Sequence, residues 1–389
     1  MFKFLKLSTL FIVLTFVNPV SGQSKSFFGK ITSSLKKRQQ RKDSTIAVGG
    51  PFLSIFAGPG YTPESGALLG GGLLYTFSTN RANKNLQRSS IPLLGSISTR
   101  GNITLGSIVN TFWLDNKLRA RMAAKFSNVR ADYFGIGYEN NAAIEKGEDT
   151  SEYNRTFYQV EPKIEYQILP NLYGGIAFMY SNFDVKETNP IMAIDPNYIE
   201  FGPKIRESGV FYSLTFDSRD IVVNAYKGAY ISFSYYNATD KLGGNQNFEA
   251  IELDARYYKT LNRPGNLLAA KLYTRKAMGH VPYSAMTLIG STDLLRGYLN
   301  GLYRDKSGMA FIGEWRYMFL NKMKDMSKVG LVTWLGTGSI GNSFDDFQNW
   351  LPNGGVGFRY EVQPRMNVRV DFGIGKNSTG LYFNFSEAF

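Results

Sequence analysis

The stretch STDLLRGYLNGLYRDKSGMAFIGEWRYMF, residues 291–319, carries an arginine, Arg296, and a glutamate, Glu314, that could pair if the loop holding the first folds back on the segment holding the second. Arg296 lies in Leu295-Arg296-Gly297-Tyr298, midway along a basic loop broken by glycines. Glu314 follows on a segment with strand-like alternation. Phe311, Gly313, Trp315, Tyr317 and Phe319 share one face, and Ile312, Glu314, Arg316 and Met318 share the other. A guanidinium is a planar fork that matches a carboxylate, and the match strengthens away from bulk water. The chemistry on offer is pinning: a loop held on a wall by a charge pair, with Gly297 permitting a tight backbone at its tip. Two plainer readings compete with it. Arg296 could be a surface-loop arginine meeting lipopolysaccharide phosphates, and Glu314 an unpaired carboxylate on an inner face.

Catalysis has no comparable constellation. The single histidine, His280 in MGHVPYS, has no serine or acid grouping around it that would make a hydrolytic dyad. With no cysteine in 389 residues, thiol chemistry, disulfides and Cys-rich metal sites are excluded. One imidazole without clustered carboxylates offers no metal centre. LLGGGLLYTF reads as a strand with kinks rather than a phosphate loop. No enzyme, metal or cofactor is expected.

The elements that must position the pair are strands. In KLRARMAAKF, Leu118, Ala120, Met122, Ala124 and Phe126 oppose Arg119, Arg121 and Lys125. AYISFSYY, IELDARYY and MNVRVDFGIG alternate in the same way, the last setting Met366, Val368, Val370, Phe372 and Ile374 against Asn367, Arg369 and Asp371. A soluble β-sandwich also alternates. The faces favour a membrane barrel instead: the apolar faces continue from strand to strand with aromatics near their ends, and the polar faces carry charges of both signs. Sixteen strand-like segments are legible. Short turns (Asp115-Asn116, Pro170-Asn171, 262–266, 362–365) mostly alternate with long loops (127–153, 182–208, 280–307). The expected fold is all-β, a sixteen-stranded antiparallel transmembrane β-barrel over 51–389. The connections 80–88 and 220–227 are longer than short-side turns usually are.

The N-terminus has a charged start (Lys3, Lys6), an apolar core over 7–17 and a small-residue Val20-Ser21-Gly22, which predicts a signal peptide over 1–22. A retained anchor is the alternative. Residues 23–50 form a basic periplasmic linker or a short amphipathic helix, with Phe27, Phe28, Ile31 and Leu35 at helical spacing. The net charge of +13 is spread among tyrosines and phenylalanines rather than gathered in one patch, which speaks against nucleic acid. Export without cysteine fits the Gram-negative outer membrane, with lipid and lipopolysaccharide as surroundings.

At LRGYLNGLYRD, with GHVPYSAMTLIG before it and GEWRYMF after it, the chain resembles the BamA/TamA/FhaC superfamily of outer-membrane assembly and secretion barrels. The resemblance implies that extracellular loop six folds into the lumen, with Arg296 as tip arginine, Leu295, Gly297 and Tyr298 completing the motif and Glu314 as wall acid. FDSRDIVVNAYKG, with Asp217, Arg219, Asp220 and Gly228, is similar to a recurrent segment of that family. Gly336 stands where a second wall motif usually has aspartate, which leaves Arg296 relying on Glu314 alone. The end, GLYFNFSEAF, resembles an outer-membrane assembly signal, with Phe383, Phe385 and Phe389 on one face of a strand that runs flush to the terminus and Glu387 interrupting it.

The resemblance implies a role in outer-membrane protein insertion or protein translocation. Client polypeptides, or a periplasmic partner that delivers them, are the implied partners, with the assembly machinery acting during biogenesis. The family's assembly and secretion members carry periplasmic polypeptide-transport-associated repeats, and only residues 23–50 stand in that place here. A passive pore or a structural envelope barrel is therefore the alternative.

Overall fold

Period-two alternation runs through sixteen segments, and each becomes a strand of one antiparallel sheet. The structure, a computed structural model, describes residues 50–62, 65–363 and 365–389. The expectations for 1–22, and for 23–50 up to Gly50, lie outside the described residues.

The sheet runs β1 (Phe52–Thr62), β2 (Gly66–Phe77), β3 (Ser89–Ser98), β4 (Ile103–Trp113), β5 (Leu118–Asp132) and β6 (Glu152–Leu169). It continues through β7 (Leu172–Glu187), β8 (Lys204–Asp217), β9 (Gly228–Ala238), β10 (Phe248–Arg263) and β11 (Asn266–Gly279). Two short strands, β12 (Thr287–Ile289) and β13 (Tyr303–Asp305), pair with each other outside it. The sheet resumes with β14 (Ser307–Leu320), β15 (Met326–Gly341), β16 (Asn353–Gln363), β17 (Met366–Gly375) and β18 (Ser378–Phe385). Its two end strands come side by side, since a Cβ added at Gly60 of β1 would stand 3.5 Å from Phe383 Cβ of β18.

Successive side chains of a strand point to opposite faces, and here the faces separate by chemistry. On β14, Phe311 (52% exposed) and Trp315 (44%) lie on the outer face, while Ile312, Glu314, Arg316 and Met318 are buried on the inner one. Ile231 and Phe233 of β9, Leu331 and Leu335 of β15, and Phe372 and Ile374 of β17 continue the exposed apolar face. An uninterrupted outer surface of Leu, Ile, Phe and Trp suits hydrocarbon rather than water.

Two boundaries differ from the expectation. Strands β5 to β8 extend beyond the predicted starts of their long loops, so the connections shrink to residues 133–151 and 188–203. The extension follows from inward packing past the apolar band, where Tyr153, Phe183, Val185 and Ile205 form one cluster with Tyr133, Met192 and Tyr283. These connections also hold short helices that alternation could not show: α1 (Tyr138–Ala143), α2 (Pro190–Ile194) and α3 (Pro196–Phe201). Asn189 and Asp195 cap the last two, accepting from the main-chain nitrogens of Met192 and Asn197.

The second difference is at the C-terminus. β18 ends at Phe385, and Ser386 adopts a left-handed φ of 59°. Residues 387–389 turn onto the inner face instead of continuing the strand, so the expectation of a strand flush with the terminus fails. Phe389 is buried against Tyr258 and Arg316. Phe383 remains on the sheet beside β1, so Phe383 and Phe389 do not share a face. The physical reason is charge: Glu387 finds Arg359 at 2.8 Å on the inner wall, and the tail follows it in.

Candidate functional site

The chain leaves β11 at Gly279 and returns at Ser307 on the neighbouring strand, so residues 280–306 have closely spaced ends and must fold on themselves. Tyr283 anchors the way in, its main-chain nitrogen donating to Asn197 Oδ1 at 2.6 Å. The β12–β13 pair then forms the neck of the loop. Helix α1 braces this neck: Tyr138 stacks on Tyr303 at 5.5 Å, and Asn141 Oδ1 accepts from the Arg304 main-chain nitrogen at 2.9 Å. Beyond the neck, residues 291–299 reach the inner faces of β14, β15 and β17.

At the tip, Arg296 is 1% exposed, and its guanidinium touches three strands. Its Nη2 donates to Glu314 Oε1 of β14, its Nη1 to Asp371 Oδ2 of β17 at 2.7 Å, and its guanidinium lies 3.7 Å from the centre of the Trp334 ring of β15. Glu314 and Trp334 are direct register partners, so one guanidinium covers a carboxylate and the ring beside it. Asn353 of β16 donates to the Arg296 carbonyl at 2.8 Å.

The rest of the motif fits the backbone to the wall. Gly297 has φ 114°, and a Cβ there would meet the main chain of Ile374 and Gly375 at 2.7–2.9 Å. Across the contact, a Cβ on Gly373 would stand 2.7 Å from the Arg296 carbonyl carbon. Two glycines thus let two backbones touch. The Gly297 nitrogen donates to the Tyr382 hydroxyl at 3.0 Å. The Tyr298 hydroxyl donates to the Pro352 carbonyl at 2.6 Å and accepts from the Lys376 nitrogen at 2.8 Å. Burial raises the Tyr298 phenol above its ordinary pKa, so it stays protonated and able to donate. Leu295 is fully buried beneath the tip.

Asp371 and Glu314 extend the pair into a charge cluster. Asp371 also accepts from Arg359 Nη1 at 2.5 Å and from Arg369 Nη1 at 3.1 Å. Arg369 reaches back to the loop, pairing with Asp293 and donating to the Thr292 carbonyl at 3.0 Å. Arg316 donates to Glu314 Oε2 at 2.8 Å and to the Phe389 carbonyl at 3.0 Å. Glu387 accepts from Arg359 and, at 2.6 Å, from Asn367. Four arginines thus face four carboxylates, and all but Asp293 are buried. Buried charge demands such matching, because an unpaired ion in a low-dielectric interior is expensive.

The structure brings Arg296 and Glu314 together. It overturns the expectation that Arg296 relies on Glu314 alone. Gly336 supplies no carboxylate, but Asp371 approaches from the other side, which its distance along the chain concealed. The other predicted group, Asp217, Arg219, Asp220 and Gly228, lies apart from the tip. Asp217 holds Arg219 (2.8 Å) and Arg119 (2.8 Å), and Asp220 holds Arg365 at 3.0 Å in the β16–β17 turn. Gly228, at φ 104°, packs against the Ser218 main chain. His280 sits exposed beside Glu200, with its Nδ1 3.1 Å from Oε1.

A sheet with one apolar, aromatic-rich face and one charged face has the pattern of the transmembrane β-strand proteins of the outer membrane. Within that class the family is shown: the Omp85 superfamily domain matches residues 79–387, and the chain belongs to the Omp85 superfamily. Among solved structures, BamA from Haemophilus ducreyi lacking POTRA domains 1-3 matches at TM-score 0.55 and 12% identity, over 92% of this chain and 78% of that one. CdiB from Acinetobacter baumannii matches at 0.54 and 12% (86% and 59%), and CdiB from Escherichia coli at 0.54 and 10% (87% and 67%). Identities this low speak to fold alone, and the chain spans less than two thirds of the Acinetobacter CdiB. Among curated proteins none matches.

Proposed function

We propose that the sheet closes into a sixteen-stranded barrel across the outer membrane, that the 280–306 loop occupies its lumen from the extracellular side, and that the barrel assists insertion or translocation of polypeptides. The observation that carries this reading is Arg296 held between Glu314 and Asp371 in an Omp85 chain whose fold is like BamA and CdiB. A loop pinned by buried charge on β14 and β17 braces the wall next to the last strand. The seam of β1 with β18 is then the place for a client strand, since parting those two strands would expose sheet edges to which an extended chain can add. Signal-directed export over 1–22 belongs to the same proposal, as does the absence of an enzymatic step. Phe383 and Phe385 serve as the assembly signal from within the strand, with Phe389 turned inward.

Photo-crosslinking in cells tests it. Probes replace Ile55 on β1 and Leu381 on β18, both exposed on the outer face. Capture of unfolded outer-membrane or secreted chains at both positions is expected. A seam that crosslinks only to itself or to lipid overturns the transport reading in favour of a structural barrel.

A further inference from the structure

The long β8–β9 turn packs against the strands it faces. Thr260 Oγ1 of β10 donates to the Tyr226 carbonyl at 2.8 Å, and the Arg365 guanidinium lies 3.3 Å from the centre of the Tyr226 ring. Arg365 also donates to the Asn224 carbonyl at 2.9 Å. Ala225 and Tyr226 are buried in one cluster with Ala388 and Phe389. The turn therefore covers the charge cluster from the side opposite the loop tip.

Between turn and cluster lies a cavity of about 10 Å³, whose lining includes Asn224, Tyr226, Arg316, Arg359, Asn367 and Glu387. Four of these residues each present a buried polar atom with no hydrogen-bond partner among the described residues: Arg316 Nη1, Arg359 Nη2, Asn224 Oδ1 and Asn367 Oδ1. All four residues are more than nine-tenths buried. The Asn367 amide is oriented by its Nδ2, which donates to Glu387, so its oxygen is an acceptor. Native interiors rarely leave such groups unmatched.

We infer that this cavity binds one water molecule, which accepts from Arg316 and Arg359, donates to Asn224 and Asn367, and so docks the β8–β9 turn on the charged wall. The size is right: a single water needs about 10–15 Å³. The hydrogen-bond complement is also right, because water donates two bonds and accepts two. Two guanidinium N–H groups and two amide oxygens match that pattern. An anion would satisfy the arginines but face two amide oxygens and the Glu387 carboxylate, and a cation would face two guanidiniums. The turn thus reaches β14, β16 and β17 through one small polar bridge.

A crystal structure of the full chain, at a resolution that shows ordered water, tests this with a parallel bromide soak. Expected is one water peak within hydrogen-bond distance of all four atoms, no anomalous bromide signal there, and loss of the peak in crystals of Asn224→Leu. An empty cavity, a bromide peak, or a water that persists unchanged in Asn224→Leu overturns the assignment.

Discussion

Arg296 Nη1 donates to Asp371 Oδ2 across 2.7 Å, joining a loop tip to a strand 75 residues further along the chain. With Glu314 on the other arm, the guanidinium ties β14 to β17 through the loop. A pair so fully buried adds little net stability over an apolar core, because desolvation offsets the attraction. What such a pair can supply is specificity of position, since the docked loop satisfies both acids at once.

Breaking that match is a different matter. Arg296→Ala leaves Glu314 and Asp371 with one positive partner fewer, a loss of about 3–5 kcal/mol. The expected outcome is a lower urea midpoint for the detergent-folded protein and faster cleavage of the loop by external protease on intact cells. Arg296→Lys is expected to rescue little, because a compact ammonium cannot fork to two acids. Unchanged protease sensitivity in Arg296→Ala would count against the pin.

Gly297→Ala is expected to destabilise by about 1–3 kcal/mol through backbone strain alone, on top of the clash with Ile374 and Gly375. Gly313→Ala is the control, since nothing lies within 4 Å of a Cβ there. Heat-modifiability on gels separates the two: an early transition for Gly297→Ala and a near-native one for Gly313→Ala.

Arg365→Ala removes both the Asp220 pair and the guanidinium over Tyr226, leaving the β8–β9 turn with fewer ties. In planar bilayers this variant is expected to conduct more, and more erratically, than the parent protein. Indistinguishable traces would mean that the turn does not obstruct the lumen.

The outer face makes its own prediction. Phe311→Arg puts a charge on the exposed apolar face opposite Leu272, midway along β11, with an expected cost of about 2–4 kcal/mol. Lys163→Ala, on the inner face beside Glu165, is expected to leave membrane integration unchanged. Fractionation and folded yield after expression check both.

The faces of the strands were legible because side-chain direction is local: Phe311, Trp315 and Glu314 lie where alternation puts them. The Arg296–Glu314 pair was legible because both flank one connection. Asp371 was readable as inward-facing but not as a partner of Arg296, since pairing across several strands depends on the stagger of the sheet. Two departures came from charge overriding pattern. Glu387 looked like a blemish on an apolar strand face, yet it draws the C-terminal residues onto Arg359 once Ser386 turns. Asp220 looked like part of an oversized turn, and its reason is Arg365, 145 residues away.

The most direct test of the pinned loop is a short thiol-to-thiol cross-link in this cysteine-free chain. Asn384 of β18 reaches Thr292 of the loop, with Nδ2 3.4 Å from Oγ1. A Thr292→Cys/Asn384→Cys variant, treated in intact cells with a short bis-thiosulfonate that spans a side-chain contact of this length, is expected to become linked within the chain and to shift on non-reducing gels after denaturation. Two free thiols that react with an impermeant maleimide at the cell surface would contradict a loop docked on the inner wall.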